Sequence, residues 1–436
     1  MIPERLSVLH SWCVQADWRA PTIVGGRGAR FWDENGREYL DMSSLAECMN
    51  LGHQHPKLVR AIRDQAEKLC FVTASWGAGP RAALAERLLE RSGYAGGRVF
   101  FTLGGADANE NAVRFARLAS GRPAGAIVTR ERSYHGASQA AMALSGDSRT
   151  VEVDPALYGV VRVPPPYAYR DAHPGEEPAA FARRNVAAIG ETIARLGAQA
   201  VAAVLMEPDA GTNGIVAPDE YWPLLRAETA GLGVLLIADE VMSGFGRCGE
   251  WFAWQRHGEA GRPDLMTLAK GLTGAHLPLG AVVVSAQVAA PLEHRMLNAG
   301  LTYCGHPLSC AAGVAALEAY AEEGLIERSK VLGRELLARL LAMRSRHAVI
   351  GDVRGGHGLF AVVELVRDRG TRQMLRPWPE THPSLREFVS RARDRGVSFA
   401  TRGNLIILAP PLVIEENDLQ DALALMDSLL GELDWS

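Results

Sequence analysis

In the stretch DLMTLAKGLTG, Asp264 to Gly274, a single lysine stands among small and apolar residues, and along the chain no acid lies nearer to it than Asp264. Lysine occurs only at positions 57, 68, 270 and 330, so 42 of the 46 basic residues are arginine. Arginine keeps its proton at ordinary pH, whereas a desolvated lysine can lose it and become a nucleophile. Lys270 is therefore a candidate for amine chemistry. The competing reading is a packed stem whose ammonium reaches water.

Other polar residues stand where apolar runs end. Asp239 closes VLLIA, where a carboxylate is costly unless it meets a positive partner. That partner could be a protonated ring nitrogen, whose pKa the carboxylate would raise; the alternative is a helix cap or turn. TLGGADANENAVRF is a glycine turn entering a helix, so free amides at Gly105 and Ala106 could hold a phosphate or simply begin a capped helix. Tyr134, in RSYHG, could lie against a flat ring or serve the core, and Glu207 follows another apolar run. In open parallel sheets ligands gather at the carboxyl ends of strands. An amine, a carboxylate for a ring nitrogen, a phosphate cradle and an aromatic lid together describe a pyridoxal phosphate site.

Two competing motifs carry less. GFGRCG, Gly244 to Gly249, matches a dinucleotide fingerprint, yet it follows its strand at a distance and leads into EWFAWQRHG, a poor helix start. His53 and His55 in GHQHP lack a third ligand nearby, so no metal is expected. The six cysteines contain no C-x-x-C pair and read as reduced thiols.

The elements that must position these residues follow from patterning. RVFFTLGG, AIVTRERSYHG, VVRVPPPYAY, VAAVLMEP, VLLIADEV, LMTLAKG and AVVVS are β-rich runs, with helical stretches such as ENAVRFARLAS and FARRNVAAIGETIARLG interspersed. This predicts an α/β fold with a large, mainly parallel sheet over residues 61–310. Residues 311–436 begin with two helical runs and then alternate strands with helices, as a smaller α/β unit. Residues 1–60 contain a hairpin, ARFWDENGREYLD, expected to pack on that unit. With 436 residues, 47% hydrophobic composition and a net charge of -4, the chain is globular and has no general affinity for nucleic acid. No apolar run approaches a membrane span and MIPERLSVLHSW is not a signal segment, so a cytoplasmic location is expected.

Taken in order, FWDENGREYLD, NLGHQHPKLVRAI, GGADANENAVRFAR, SYHG, EPDAG, ADEVMSGFGRCG, LAKGLTG, LTYCGHPLSCAAG and APPL resemble the class III (omega) aminotransferases, of the fold-type I pyridoxal phosphate enzymes. The resemblance implies that Lys270 holds the cofactor as an imine and then shuttles a proton. It implies that Asp239 pairs with the ring nitrogen, Val241 packs beneath the ring and Tyr134 above it, with His135 also at the cofactor. Gly105, Ala106 and, across a homodimer interface, Thr302 would hold the phosphate, and Glu207 would lie near the ring oxygen. Relatives often read Ser-Gly-Ser where this chain has Gly104, Gly105 and Ala106, so a hydroxyl contact to phosphate is missing. Ile407 replaces the arginine of the ornithine and 4-aminobutyrate branch, whereas TYCGHP looks like the omega-amino acid and taurine:pyruvate branch. Substrate contacts are expected from Glu47, Trp76 and Arg402. The implied activity is ping-pong transfer from an omega-amino acid or primary amine to a small 2-oxo acid such as pyruvate; the alternative is an aminomutase, epimerase or decarboxylase on the same fold.

Overall fold

The computed structural model describes residues 4–150 and 159–435. Val201–Met206 and Leu265–Leu268 are buried at every residue, which requires a sheet covered on both faces. They belong to a seven-stranded sheet ordered Arg98–Thr102, Gly280–Val284, Leu265–Leu268, Leu235–Asp239, Val201–Met206, Ala126–Arg130 and Val160–Val163. All pairings from Leu265–Leu268 to Val160–Val163 are parallel. Gly280–Val284 runs antiparallel to both neighbours. The mainly parallel sheet expected from the apolar runs is thus present, with one reversed strand.

Alternation along the strands divides the core. Ile237 and Leu265 pack with Ala108, Ala112 and Phe115 of the helix Gly105–Ala119. Their neighbours Leu236, Ala238 and Met266 join a cluster with Ile189 and Ile193 of Pro178–Leu196 and Leu225 of Tyr221–Gly231. Each leucine, isoleucine, phenylalanine or methionine among them contributes roughly 1.5–3 kcal/mol on burial. Because the strands are parallel, their carboxyl ends share one edge, and the loops after them meet there.

The hairpin signalled by ENG forms from Arg30–Asp33 and Glu38–Asp41. Gly36 takes φ +77, and Asp33 Oδ1 accepts from the amides of Asn35 and Arg37, both at 3.0 Å. Glu38–Asp41 then pairs in parallel with Val397–Ser398, joining the N-terminal segment to the C-terminal part of the chain. There an antiparallel sheet runs Ile350–Gly355, Ala361–Asp368, Leu405–Leu408, Ala400–Arg402. The run LIERSKVLGRELLARLLAMRSR is one helix, Leu325–Arg346, burying Leu332, Leu336, Leu340 and Met343 as a stripe.

Candidate functional site

The strand-end loops surround a cavity of about 230 Å³ whose walls include Gly105, Ala106, Tyr134, Asp239, Val241 and Lys270. His135 and Glu207 line it too. Eight of the twelve expected site residues therefore meet in one place. Glu47 touches this group through Lys270, while Thr302, Trp76 and Arg402 do not line the cavity.

Lys270 follows Leu265–Leu268 and takes φ +45, a left-handed backbone uncommon for a side chain of this size. Its Nζ lies 2.9 Å from Glu47 Oε2. Along the chain the lysine has no acid beside it, but the fold brings one from 223 residues away. Burial alone would lower the Lys270 pKa; the charge and hydrogen bond of Glu47 outweigh it and raise the value.

Glu47 is held in an unusual way. Ser44, Leu45, Ala46 and Glu47 have φ of +48, +42, +71 and +57, a left-handed turn without glycine. Each such residue costs roughly 1–2 kcal/mol. The turn is secured from both sides: Asp41 Oδ1 accepts from the Ser43 and Leu45 amides at 3.0 and 3.3 Å, and Ser44 Oγ accepts from Arg247 Nη2 at 2.9 Å. Arg247, fully buried, also donates to the carbonyls of Leu359 and Pro410 and to Asn50 Oδ1. The GFGRCG stretch therefore anchors this turn, and does not open a helix onto a phosphate.

Asp239 ends its strand with both carboxylate oxygens hydrogen-bonded and acceptor capacity to spare. Oδ2 accepts from Asn109 Nδ2 at 2.8 Å and meets His135 Nδ1 at 2.8 Å; Oδ1 accepts from the Val241 amide at 3.0 Å. His135 Nδ1 must carry the hydrogen of its pair, since the carboxylate only accepts. Asn109 is itself fixed, donating to the His135 carbonyl at 2.9 Å and accepting from Thr267 Oγ1 at 2.7 Å. Sequence reasoning missed Asn109, although it stands one helical turn after Gly105 on the same face. Glu207 pairs with the buried Arg130, also missed, and accepts from the Tyr134 amide at 3.3 Å. Burial keeps its carboxyl above the usual range despite Arg130.

The helix Gly105–Ala119 aims its first turn at the cavity. Its first intrahelical bond runs from the Ala108 amide to the Gly104 carbonyl, leaving the Gly105 and Ala106 amides ahead of it. Asp107 turns back to accept from the Leu103 and Gly104 amides at 2.7 and 2.8 Å. A Cβ on Gly105 would stand 3.0 Å from Val241, and one on Gly136, at φ +130, would overlap Ala106 at 2.5 Å. This close packing confines the first-turn amides to the cavity. A lysine, a hydrogen-bonded carboxylate, free helix-start amides and the side chains of Val241 and Tyr134 in one cavity wall suit pyridoxal phosphate.

The remaining expected residues lie elsewhere. Arg402 gives Nη2 to both oxygens of Asp147 at 2.6 and 2.8 Å. Arg149, whose guanidinium lies 4.2 Å from the Tyr134 ring centre, uses the same carboxylate. Thr302 and Trp76 are exposed, the latter by 69%. Arg81 ties their loops together, donating to the carbonyls of Trp76 and Gly305. His53 and His55, weighed as metal ligands, pair instead with Asp41 and Glu323.

Comparison with known proteins shows the family. The family model for class-III aminotransferases matches residues 15–430. The solved taurine:2-oxoglutarate aminotransferase of Bifidobacterium kashiwanohense, in complex with PLP and glutamate, superposes with a TM-score of 0.94 at 36% identity, over 98% of this chain and 96% of that one. The putrescine–pyruvate aminotransferase of Pseudomonas aeruginosa is 32% identical over 95% of this chain and 91% of its own length. The leucine/methionine racemase of Thermococcus litoralis is 33% identical over 99% and 96%.

Proposed function

Because the chain belongs to the class III aminotransferases, which are pyridoxal phosphate enzymes, we propose that it moves an amino group from a primary amine or omega-amino acid to a small 2-oxo acid, foremost pyruvate, in two half-reactions. The observation that carries this reading is the single cavity joining Lys270, Asp239 and the helix start at Gly105. When bound, pyridoxal phosphate supplies an electron sink for negative charge on the substrate carbon.

The chain's own residues do the rest. Lys270 would hold the cofactor covalently and, once released, would carry a proton at Nζ to and from the reacting carbon. Asp239 would keep the ring nitrogen protonated; Asn109, His135 and the Val241 amide already orient its oxygens, so little reorganisation would remain. Val241 and Tyr134 would pack against the ring. The Gly105 and Ala106 amides would hold the phosphate at the positive end of their helix. Glu207, restrained by Arg130, would serve the ring oxygen.

Thr302 is exposed and does not line the cavity of its own chain, so in this reading the active form is a homodimer in which Thr302 would serve the phosphate of the second copy. The exposed Leu301 and Tyr303 beside it, with Trp76, are large side chains of the kind that a subunit interface buries. Trp76 would join the substrate wall in that assembly. Asp147 competes for Arg402 with any substrate carboxylate, which favours donors without one.

The test is a half-reaction. Adding a primary amine to the loaded enzyme should remove the visible absorbance of the bound cofactor, and pyruvate should restore it with formation of alanine. Similarity to a racemase favours one second reading, inversion at the α-carbon of an amino acid. Inversion of an α-amino acid with the visible absorbance unchanged, and no alanine from any amine, would establish that reading and remove transfer.

A further inference from the structure

We propose that Glu47 docks the ammonium group of the incoming donor and takes the proton that the donor nitrogen must lose before it can attack. The inference rests on the aminotransferase reading and assigns its first step to a residue. The head of Lys270 is itself an alkylammonium, and it sits 2.9 Å from Glu47 Oε2. Amine donors carry the same group at neutral pH. Once Lys270 is committed to the cofactor, the seat at Glu47 is left to another alkylammonium. The donor nitrogen must replace Lys270 Nζ at the atom it holds, so its route passes beside Glu47.

The surroundings suit this task. Glu47 has a side chain 9% exposed, and Lys270 is its ionic partner among the described residues. A Cβ on Gly211 would lie 3.4 Å from its carboxyl carbon and 2.6 Å from Met242 Cγ; both residues line the cavity, so the Glu47 carboxylate stands directly behind this part of its wall. The other charged or titratable groups coupled to the pair are Cys48, Asp239 and Arg247, with Asp41 acting in turn on Cys48 and Arg247. Arg247 is used by Ser44, Asn50 and two carbonyls, and Asp239 by Asn109, His135 and, in that reading, the ring nitrogen. Neither is available to the incoming amine. The step is a proton transfer alone: the N–H bond of R–NH3+ breaks, an O–H bond forms on Glu47 Oε2, and the electron pair stays on nitrogen as the nucleophile.

Two measurements test it. Cofactor-free Lys270→Ala protein lacks the lysine from Cγ outward, a void shaped for n-propylammonium. Calorimetry should detect binding of n-propylammonium, weakened about ten- to a hundredfold when Glu47→Gln is added, the range expected for a hydrogen bond between charged groups. In the holoenzyme, Glu47→Gln should slow the amine half-reaction about tenfold or more near pH 7. The deficit should close towards about pH 10, where the donor deprotonates in solution. In the oxo-acid half-reaction the return of visible absorbance precedes amine release, and its rate should change less than about threefold over the same range. Retained cofactor absorbance in Glu47→Gln controls for folding. A pH-independent deficit in both half-reactions, or n-propylammonium binding that ignores Glu47, overturns the assignment. If no donor is turned over while binding still depends on Glu47, the aminotransferase reading fails and the docking role stands. If transfer proceeds and the Glu47→Gln profile overlays the wild type, docking alone fails.

Discussion

Replacing Asp147 by asparagine tests the cluster that backs Tyr134. The Asp147 side chain is fully buried and accepts six hydrogen bonds: two from Arg402 Nη2, at 2.6 and 2.8 Å, three from Arg149, whose Nε and amide lie at 2.9 Å and Nη2 at 3.5 Å, and one from Asn213 Nδ2 at 3.1 Å. Asparagine keeps the size and one oxygen but removes the charge that two guanidiniums share. Losing one member of a buried ion pair costs about 3–5 kcal/mol. Arg402 and Arg149 retain 18% and 24% side-chain exposure, so water recovers part of the loss. The expected destabilisation is therefore about 3 kcal/mol, at the low end of that range. Although burial pushes the Asp147 carboxyl up, Arg149 and Arg402 hold it below its usual value. A lowered folded pKa gives stability that is present above the unfolded value, about 3.9, and is lost as pH falls through the folded one. Equilibrium denaturation of wild type and Asp147→Asn should show a gap that is constant from about pH 5 to 8 and narrows below about pH 4. Equal stability near neutral pH, or a gap that widens on acidification, would refute the reasoning. The substitution also releases two arginines beside Tyr134, so the KM for β-alanine should fall while that for n-propylamine stays constant.

Other substitutions probe separate parts of the site. Asn109→Ala takes a donor from Asp239 and an acceptor from Thr267; cofactor dissociation followed by absorbance should weaken about tenfold. Ala106→Ser adds the hydroxyl missing from the helix start and should lower the cofactor dissociation constant; an unchanged constant removes the idea that phosphate contacts are short by one. Burial pushes the Glu240 carboxyl up to about 7, against hydrogen bonds from Ser243 Oγ and the amides of Ala253 and Trp254. The folded state then binds the extra proton between about pH 4.5 and 7, so stability falls as pH rises through that window, and Glu240→Gln should flatten the fall in thermal unfolding scans. Gly249→Ala, at φ +86 with its Cβ 2.1 Å from the His357 carbonyl oxygen, should cost about 3 kcal/mol or more in denaturation while leaving the cofactor affinity of the folded fraction unchanged.

Much of the layout was legible because it depends on local pattern. Val201–Met206 and Leu265–Leu268 announce buried strands by their unbroken apolar runs, ENG announces its turn, and Lys270 and Asp239 stand out as polar groups at the ends of such strands. Gly105 and Ala106 are visible as a glycine turn entering a helix. Asn109, Arg130 and Asp147 were not legible, because each is an ordinary polar residue until a distant partner fixes it: Asp239, Glu207 and Arg402 respectively.

By itself, then, the sequence determined the α/β architecture, the strand-end lysine and aspartate that line the candidate site and the glycine-led helix start, since strand burial, turn chemistry and helix entry are properties of short segments. Tertiary structure decided the charge environment of those residues. It placed Glu47 against a lysine that has no acid beside it along the chain, by bending four residues into a left-handed turn that Asp41 and Arg247 secure. It also gave Arg402 to Asp147. Ion pairs between segments tens to hundreds of residues apart follow from where strands and loops converge, and no spacing along the chain encodes that convergence.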